Sequence, residues 1–188
     1  MQTRDSRRDI VIGALWLFVP VVGWLMNMGH RVRYVHRLMH GAPPWPAWER
    51  PSELLWHGLL TFAGMAYYGA PGVACIAGGL WLDLVPLVVV GTIGLGAAIV
   101  AIPGYMSHYC RAFDPREIFH PVRAMSRVIQ GGAAYWRAWA IVLPTMLFSF
   151  VGLLGAGVGF TLTSVWFWQV AAYCFANVFS QRFELDRA

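Results

Sequence analysis

His36 and His40, in the run HRLMH, stand one helical turn apart, a spacing that lets two imidazoles reach one metal ion from a single helix face. His30 precedes them in the same stretch, while His57, His108 and His120 are each isolated in sequence. Membrane di-iron centres need several such clusters, so His36 and His40 are weak metal candidates. They also read as two interfacial histidines on the polar face of a helix at a lipid surface. His57, close to the start of an apolar run, and His108 offer another chemistry, axial ligation of a tetrapyrrole packed among tryptophans. A histidine on an apolar helix is more often hydrogen-bonded inside a bundle. We therefore expect no metal, pigment or other cofactor.

Other chemistry is removed by what the chain lacks. All fourteen basic residues are arginine. Without lysine there is no Schiff base to retinal or pyridoxal and no P-loop. Ser149, Ser164 and Ser180 have no histidine or acid near them in sequence, and Asp5, Asp9, Asp83, Asp114 and Asp186 occupy tails or segment boundaries. Apart from His57 and Asp83, both near segment ends, the apolar runs hold no ionisable group to line an ion pathway. Cys75, Cys110 and Cys174 form no CxxC pair and read as small hydrophobes. An enzyme is not expected.

What remains is a pattern of arginines. Arg31, Arg33 and Arg37 fall in one short basic stretch, His30 to His40, with Val32, Val35, Leu38 and Met39 opposed to the charges. Arg116, Arg123 and Arg127 form a second stripe, opposed to Ile118, Phe119, Val122, Met125 and Ile129. These six arginines are the candidate surface for anionic lipid headgroups or an acidic partner protein. The net charge of +5 answers to phospholipid, not nucleic acid, because the arginines flank apolar runs.

Those runs define the elements. Hydrophobic residues make up 58% of the chain and charged ones 12%, too apolar a balance for a water-soluble core. Leu54 to Ile76, Leu84 to Met106, Ala138 to Phe160 and Thr161 to Phe179 each approach or exceed the ~20 residues that cross a bilayer. Ile10 to Met28 is just long enough, but Pro20 and Gly23 interrupt it, so it is either a span or a re-entrant hairpin. Arg7 and Arg8 precede it without a small-residue cleavage site, which argues for a retained segment. Asp114, Pro115, Arg116 and Glu117 read as a capping box opening a helix that Pro121 kinks and Gly131 and Gly132 end. Ala66, Ala70, Ala74 and Gly78, and the pair Gly155 and Gly159, provide small-residue seams for helix packing or self-association. Trp45 and Trp48, in the proline-rich GAPPWPAWERP turn, and Tyr135, Trp136 and Trp139 suit headgroup depth.

Counting arginines orients the chain. With five spans, the connections carrying Arg31 to Arg50 and Arg111 to Arg137, and the tail with Arg182 and Arg187, share one side, which the positive-inside rule makes cytoplasmic. Arg4, Arg7 and Arg8 break the rule unless the first segment dips in and returns.

Taken together, the arginine-rich helix after Gly29, the segment PPWPAWERPSELLWHGL, the FDPREIF helix start and the C-terminal pair of spans ending near Gln181 and Arg182 resemble a family of bacterial and archaeal multi-pass membrane proteins catalogued only as a domain of unknown function. The likeness covers nearly the whole chain and is clearest over Arg31 to Trp56 and Phe113 to Arg127. Glu49, Arg50 and Pro51 stand where the family has an acidic Asp-Trp-Gly-like stretch, and His57 where it often carries an acid. The resemblance implies the topology and transfers no site. The expectation is an all-α membrane domain of about five segments and two amphipathic helices. It would act in the inner membrane as a non-catalytic subunit or scaffold that meets anionic lipid and a protein partner or second copy. The alternatives are a transporter-like or lipid-handling bundle and, behind these, a pigment- or metal-binding subunit.

Overall fold

The computed structural model describes residues 4–45, 47–155 and 157–185, with side chains as far as residue 179. Arg187, Asp186 and the side chains of Ser180, Gln181 and Arg182 lie outside the described residues. The described chain is helical: α1 (Arg4–Trp16), α2 (Val22–Met39), α3 (Pro51–Trp81), α4 (Val85–Ala112), α5 (Pro121–Ser149) and α6 (Val158–Leu185), with short 3-10 turns at Pro115–Glu117 and Phe150–Leu154. Four helices, α3, α4, α5 with its 3-10 extension, and α6, are long and apolar enough to cross a membrane. The molecule is a multi-pass helical membrane protein. Its surface is inverted accordingly: Trp81 and Leu154 are 87% and 88% exposed, as large apolar side chains are where lipid is the solvent.

The first apolar segment is a hairpin. α1 ends at Trp16, the chain turns through Leu17 to Val21, and α2 runs back antiparallel. Val21, at φ 62°, makes the reversal, and the Val22 and Gly23 amides donate to the Pro20 and Val19 carbonyls at 2.7 and 2.9 Å. The side-chain amide of Asn27 donates to the carbonyls of Gly13 and Gly23, at 3.0 and 2.9 Å, and so ties the two arms together. The hairpin places Arg4, Arg7 and Arg8 at the same end as the C-terminus of α2, which resolves the conflict in the charge count.

Glycines set the close crossings. A Cβ on Gly29 would lie 1.8 Å from the Leu54 carbonyl oxygen, and one on Gly58 1.9 Å from that of Leu25, so α2 and α3 touch backbone to backbone. Gly72 and Gly91 do the same for α3 and α4, each 2.9 Å or less from the other's carbonyl oxygen. The seam expected at Ala66, Ala70, Ala74 and Gly78 does not pack inside the bundle: the three alanines are exposed and Gly78 is half-buried. Both patterns repeat along α3, but Gly64, Gly72 and Gly79 lie on the face that meets α4 and Ile118, because glycine alone admits that approach. The pair Gly155 and Gly159 is corrected too. Gly155 closes the turn and Gly159 opens α6, so they share no helix; the close contact is between Gly152 and Gly159. The final turn falls at Gly155 to Gly157, ahead of the expected break at Thr161.

Two other boundaries differ. Asp114 caps as expected, accepting the Arg116 amide at 3.0 Å, but only a 3-10 turn follows. Glu117 reaches forward to Arg123, at 2.7 Å, instead of back, and Pro121 starts α5 at its first position instead of kinking a longer helix. α5 breaks at Gly132, φ 51° and ψ −140°, between an amphipathic first arm and a membrane arm. The basic stretch His30 to His40 is no separate interfacial helix; it continues α2 into the bundle, with Val32, Tyr34 and Val35 buried against α3, α4 and α6.

Gly91→Val should lower the melting temperature of the detergent-solubilised protein sharply, because the Cβ alone would sit 2.7 Å from the Gly72 carbonyl oxygen. Ala74→Val, on the exposed side of α3, should stay within about 0.5 kcal/mol of wild type.

Candidate functional site

At the end of the bundle where α2 finishes, α3 begins and α4 finishes, the chain encloses an open basin of about 320 Å³. Its wall includes Arg33, His36, Arg37, Arg50, Glu53 and His57, with His40 and Phe113 at its edge. Helix periodicity explains the grouping: Arg33, His36, Arg37 and His40 recur at three- and four-residue steps along α2. Arg37 pairs with Glu49 at 2.7 Å and Arg50 with Glu53 at 2.9 Å, while Arg33 is 3.7 Å from both carboxylates and donates to the Glu49 carbonyl. Three guanidinium groups thus share two carboxylates.

Hydrogen bonds fix the rings of the three histidines. His36 directs Nδ1 to the Cys110 carbonyl and His40 directs its own to the His36 carbonyl, both at 2.7 Å; a carbonyl only accepts, so each Nδ1 carries a proton. His57 Nδ1 meets the Tyr109 hydroxyl at 2.5 Å. Phe113 stacks on His36 and packs against His57, with ring centroids 4.2 and 4.4 Å away. Burial lowers the His36 pKa, helped by the charges of Arg33 and Arg37 and opposed by the Cys110 carbonyl. The rings of His36 and His40 are 4.2 Å apart, yet among the described residues no group of three or more His, Cys, Asp or Glu is placed to hold a metal ion. His57 borders the basin, whereas His108 is buried in α4 and lines neither this basin nor the cavity described below.

Of the six arginines singled out from sequence, Arg33 and Arg37 sit in the basin, and Arg116, Arg123 and Arg127 lie beyond it on the 3-10 turn and the first arm of α5. Arg116 and Arg123 are exposed and Arg127 is half-buried. Arg31 does not join them. Two residues from Arg33 along a helix is a rotation of ~200°, and Arg31 faces α6, its guanidinium 4.3 Å over the Trp168 ring.

The feature that sequence reading missed lies beneath the basin. Asp9, assigned to a tail, is 1% exposed, and so is His30. His30 Nε2 donates to Asp9 Oδ2 at 3.1 Å, and the Ala47 amide donates to the same oxygen at 3.1 Å. Trp48 stacks on His30, centroids 4.3 Å apart, and its indole N–H donates to the Asp9 carbonyl. Trp45 packs on Tyr34 at 4.8 Å. Both tryptophans therefore seal an interior pair instead of anchoring a turn among headgroups. Tyr135 likewise turns inward, fully buried, to donate to the Val100 carbonyl. An aspartate directly ahead of an apolar run, followed by a histidine in the next helix and an indole beyond, was the available signal.

Replacing Asp9 by Ala strands two buried donors and should destabilise the protein by about 3 kcal/mol, read as a lower melting temperature. His30 lies outside the four spans, and burial lowers its pKa despite the opposing pull of Asp9. The unfolded chain then takes up a proton below about pH 6.5 that the folded one refuses. His30 therefore contributes stability above that pH and loses it as the pH falls. Melting temperature should drop between pH 7.5 and 5, and His30→Gln should shrink that slope.

No family model matches the chain, and no curated protein or solved structure matches it, so the resemblance over Arg31 to Trp56 and Phe113 to Arg127 rests on those residues themselves.

Proposed function

We propose that this protein is a non-catalytic integral membrane subunit or scaffold that grips anionic phospholipid headgroups and docks a partner protein at its arginine-rich end. The carrying observation is the basin, in which Arg33, Arg37 and Arg50 crowd around two carboxylates with His36, His40 and His57 beside them. A phosphate accepts several hydrogen bonds and fits planar guanidinium groups bidentately. It would compete with Glu49 and Glu53 for donors already gathered. Arg116 and Arg123, exposed on the neighbouring ledge, extend the surface to headgroups around the bundle or to an acidic partner.

The same end is proposed to face the cytoplasm of an inner membrane. The opposite turns, Leu82 to Leu84 and Gly155 to Gly157, contain no arginine, and the hairpin returns Arg4, Arg7 and Arg8 to the basic side. A second reading, a lipid-handling bundle, is favoured by a separate cavity between the hairpin and α6.

Two experiments test this. In a background lacking Cys75, Cys110 and Cys174, a membrane-impermeant maleimide on intact cells should label Asp83→Cys and leave Asp5→Cys unlabelled; the reverse pattern refutes the orientation. In detergent, Arg33→Gln/Arg37→Gln/Arg50→Gln should lose at least tenfold of the affinity for phosphatidylglycerol while phosphatidylcholine binding stays unchanged. Arg116→Gln/Arg123→Gln/Arg127→Gln should reduce binding of a co-purifying protein. Equal phosphatidylglycerol binding by the basin variant and wild type removes the headgroup assignment.

A further inference from the structure

The face of α2 opposite the basin holds a second cavity, of about 250 Å³, between the hairpin and α6. Leu17, Trp24, Arg31, Phe160, Ser164 and Gln169 line it. Arg31 donates through Nε to the Asn27 carbonyl, at 3.3 Å, and lies over Trp168, but it has no ion pair among the described residues. Glu49 and Glu53, which balance Arg33, Arg37 and Arg50, belong to the other side of the helix. A cation enclosed by tryptophan and aliphatic groups loses hydration that a ring face replaces only in part.

Gln169 is a second, independent observation. It is 6% exposed, and its side-chain amide nitrogen is buried without a hydrogen-bond partner. Arg31, Gln169 and Ser164 bring guanidinium, amide and hydroxyl donors to the wall of one cavity. The amide nitrogen of Asn27 is already committed to two carbonyls. A site rich in unspent donors around one positive charge fits an anion. Apart from His30, which is paired with Asp9, the rest of the lining is hydrocarbon and aromatic, and Leu17 and Trp24 continue onto an exposed apolar surface with Phe18 and Val21. The volume suits a headgroup and the first few carbons of a chain, with the remainder lying along that outer surface.

We infer that this cavity binds the acidic headgroup of an anionic amphiphile, with Arg31 and Gln169 holding the headgroup and Leu17, Trp24 and Phe160 holding the start of its chain. The shared chemistry is a carboxylate or phosphate joined to a hydrocarbon chain. The inference is independent of the basin, which uses other residues on the other face of α2.

The test uses the full chain, delipidated in dodecyl maltoside and titrated by native mass spectrometry with oleate, dioleoyl phosphatidate, oleyl alcohol and inorganic phosphate. Oleate or the phosphatidate should bind at least tenfold more tightly than the alcohol or free phosphate; which of the two wins identifies a carboxylate or a phosphate headgroup, and either result supports the site. Arg31→Gln should weaken that binding about tenfold or more, the scale of a lost charged hydrogen bond, and Gln169→Leu severalfold, while Arg31→Lys retains part of it. Arg33→Gln/Arg37→Gln should stay within about twofold of wild type for the same ligand. Equal binding of oleate and oleyl alcohol, free phosphate binding as tightly as the amphiphiles, or wild-type affinity in both Arg31→Gln and Gln169→Leu overturns the inference. Loss confined to Arg33→Gln/Arg37→Gln moves the ligand to the basin and overturns it equally. Should Arg31→Gln fail to fold, Gln169→Leu, which adds no charge, decides the matter alone.

Discussion

A carboxylate removed from water must have its charge answered where it stands. Asp9 is answered from two directions at once: the imidazole of His30 on α2 and the amide of Ala47 in the linker that leads to α3. One oxygen thereby pins three stretches of chain, and Trp48 closes over them. The position of α1 against α2, the path of the proline-rich linker and the entry of α3 all depend on that oxygen being where it is. The basin inherits the arrangement, because Arg33, His36 and Arg37 project from the same α2 that Asp9 holds, and Arg50 and Glu53 from the segment that follows Ala47.

Hydrocarbon imposes the complementary constraint. Backbone N–H and C=O groups freed at a turn find no water at depth, so irregular chain must be covered by protein. The reversal at Leu17 to Val21 meets this condition through its own turn bonds, through the Asn27 side chain and through α6 alongside. The turn at Asp83 solves the problem differently. Asp83 takes the left-handed position, φ 52°, and the Leu84 amide returns to the Gly79 carbonyl at 2.8 Å, which satisfies a carbonyl that the end of α3 would otherwise leave open.

The four crossing helices were legible because length and apolarity alone define them, and neither depends on which neighbour a helix meets. The broken first segment was legible as an alternative, from Pro20 and Gly23 and from the three arginines ahead of it. Contacts between segments were not. The alanines of α3 and its glycines offer similar small-residue spacing, and only the approach of α4 distinguishes them. Arg31 and Arg33 look alike in a basic run until the helix turns them apart. Asp9 reads as a polar tail because nothing in its own neighbourhood announces His30, which is a partner across a reversal. Trp45 and Trp48 mislead for the same reason: an amphipathic ring suits a headgroup layer and an interior polar pair equally well, and topology chooses.

The contact between Arg31 on α2 and Trp168 on α6 joins the α1–α2 hairpin to a helix that leaves the ribosome only after α3, α4 and α5. Until that helix arrives, the guanidinium stands at the edge of an unfinished bundle, with only the Asn27 carbonyl beside it. The α1–α2 hairpin is therefore completed only once α3, α4 and α5 have been made. A chain cut short before α6 would leave that charge without the ring face that covers it.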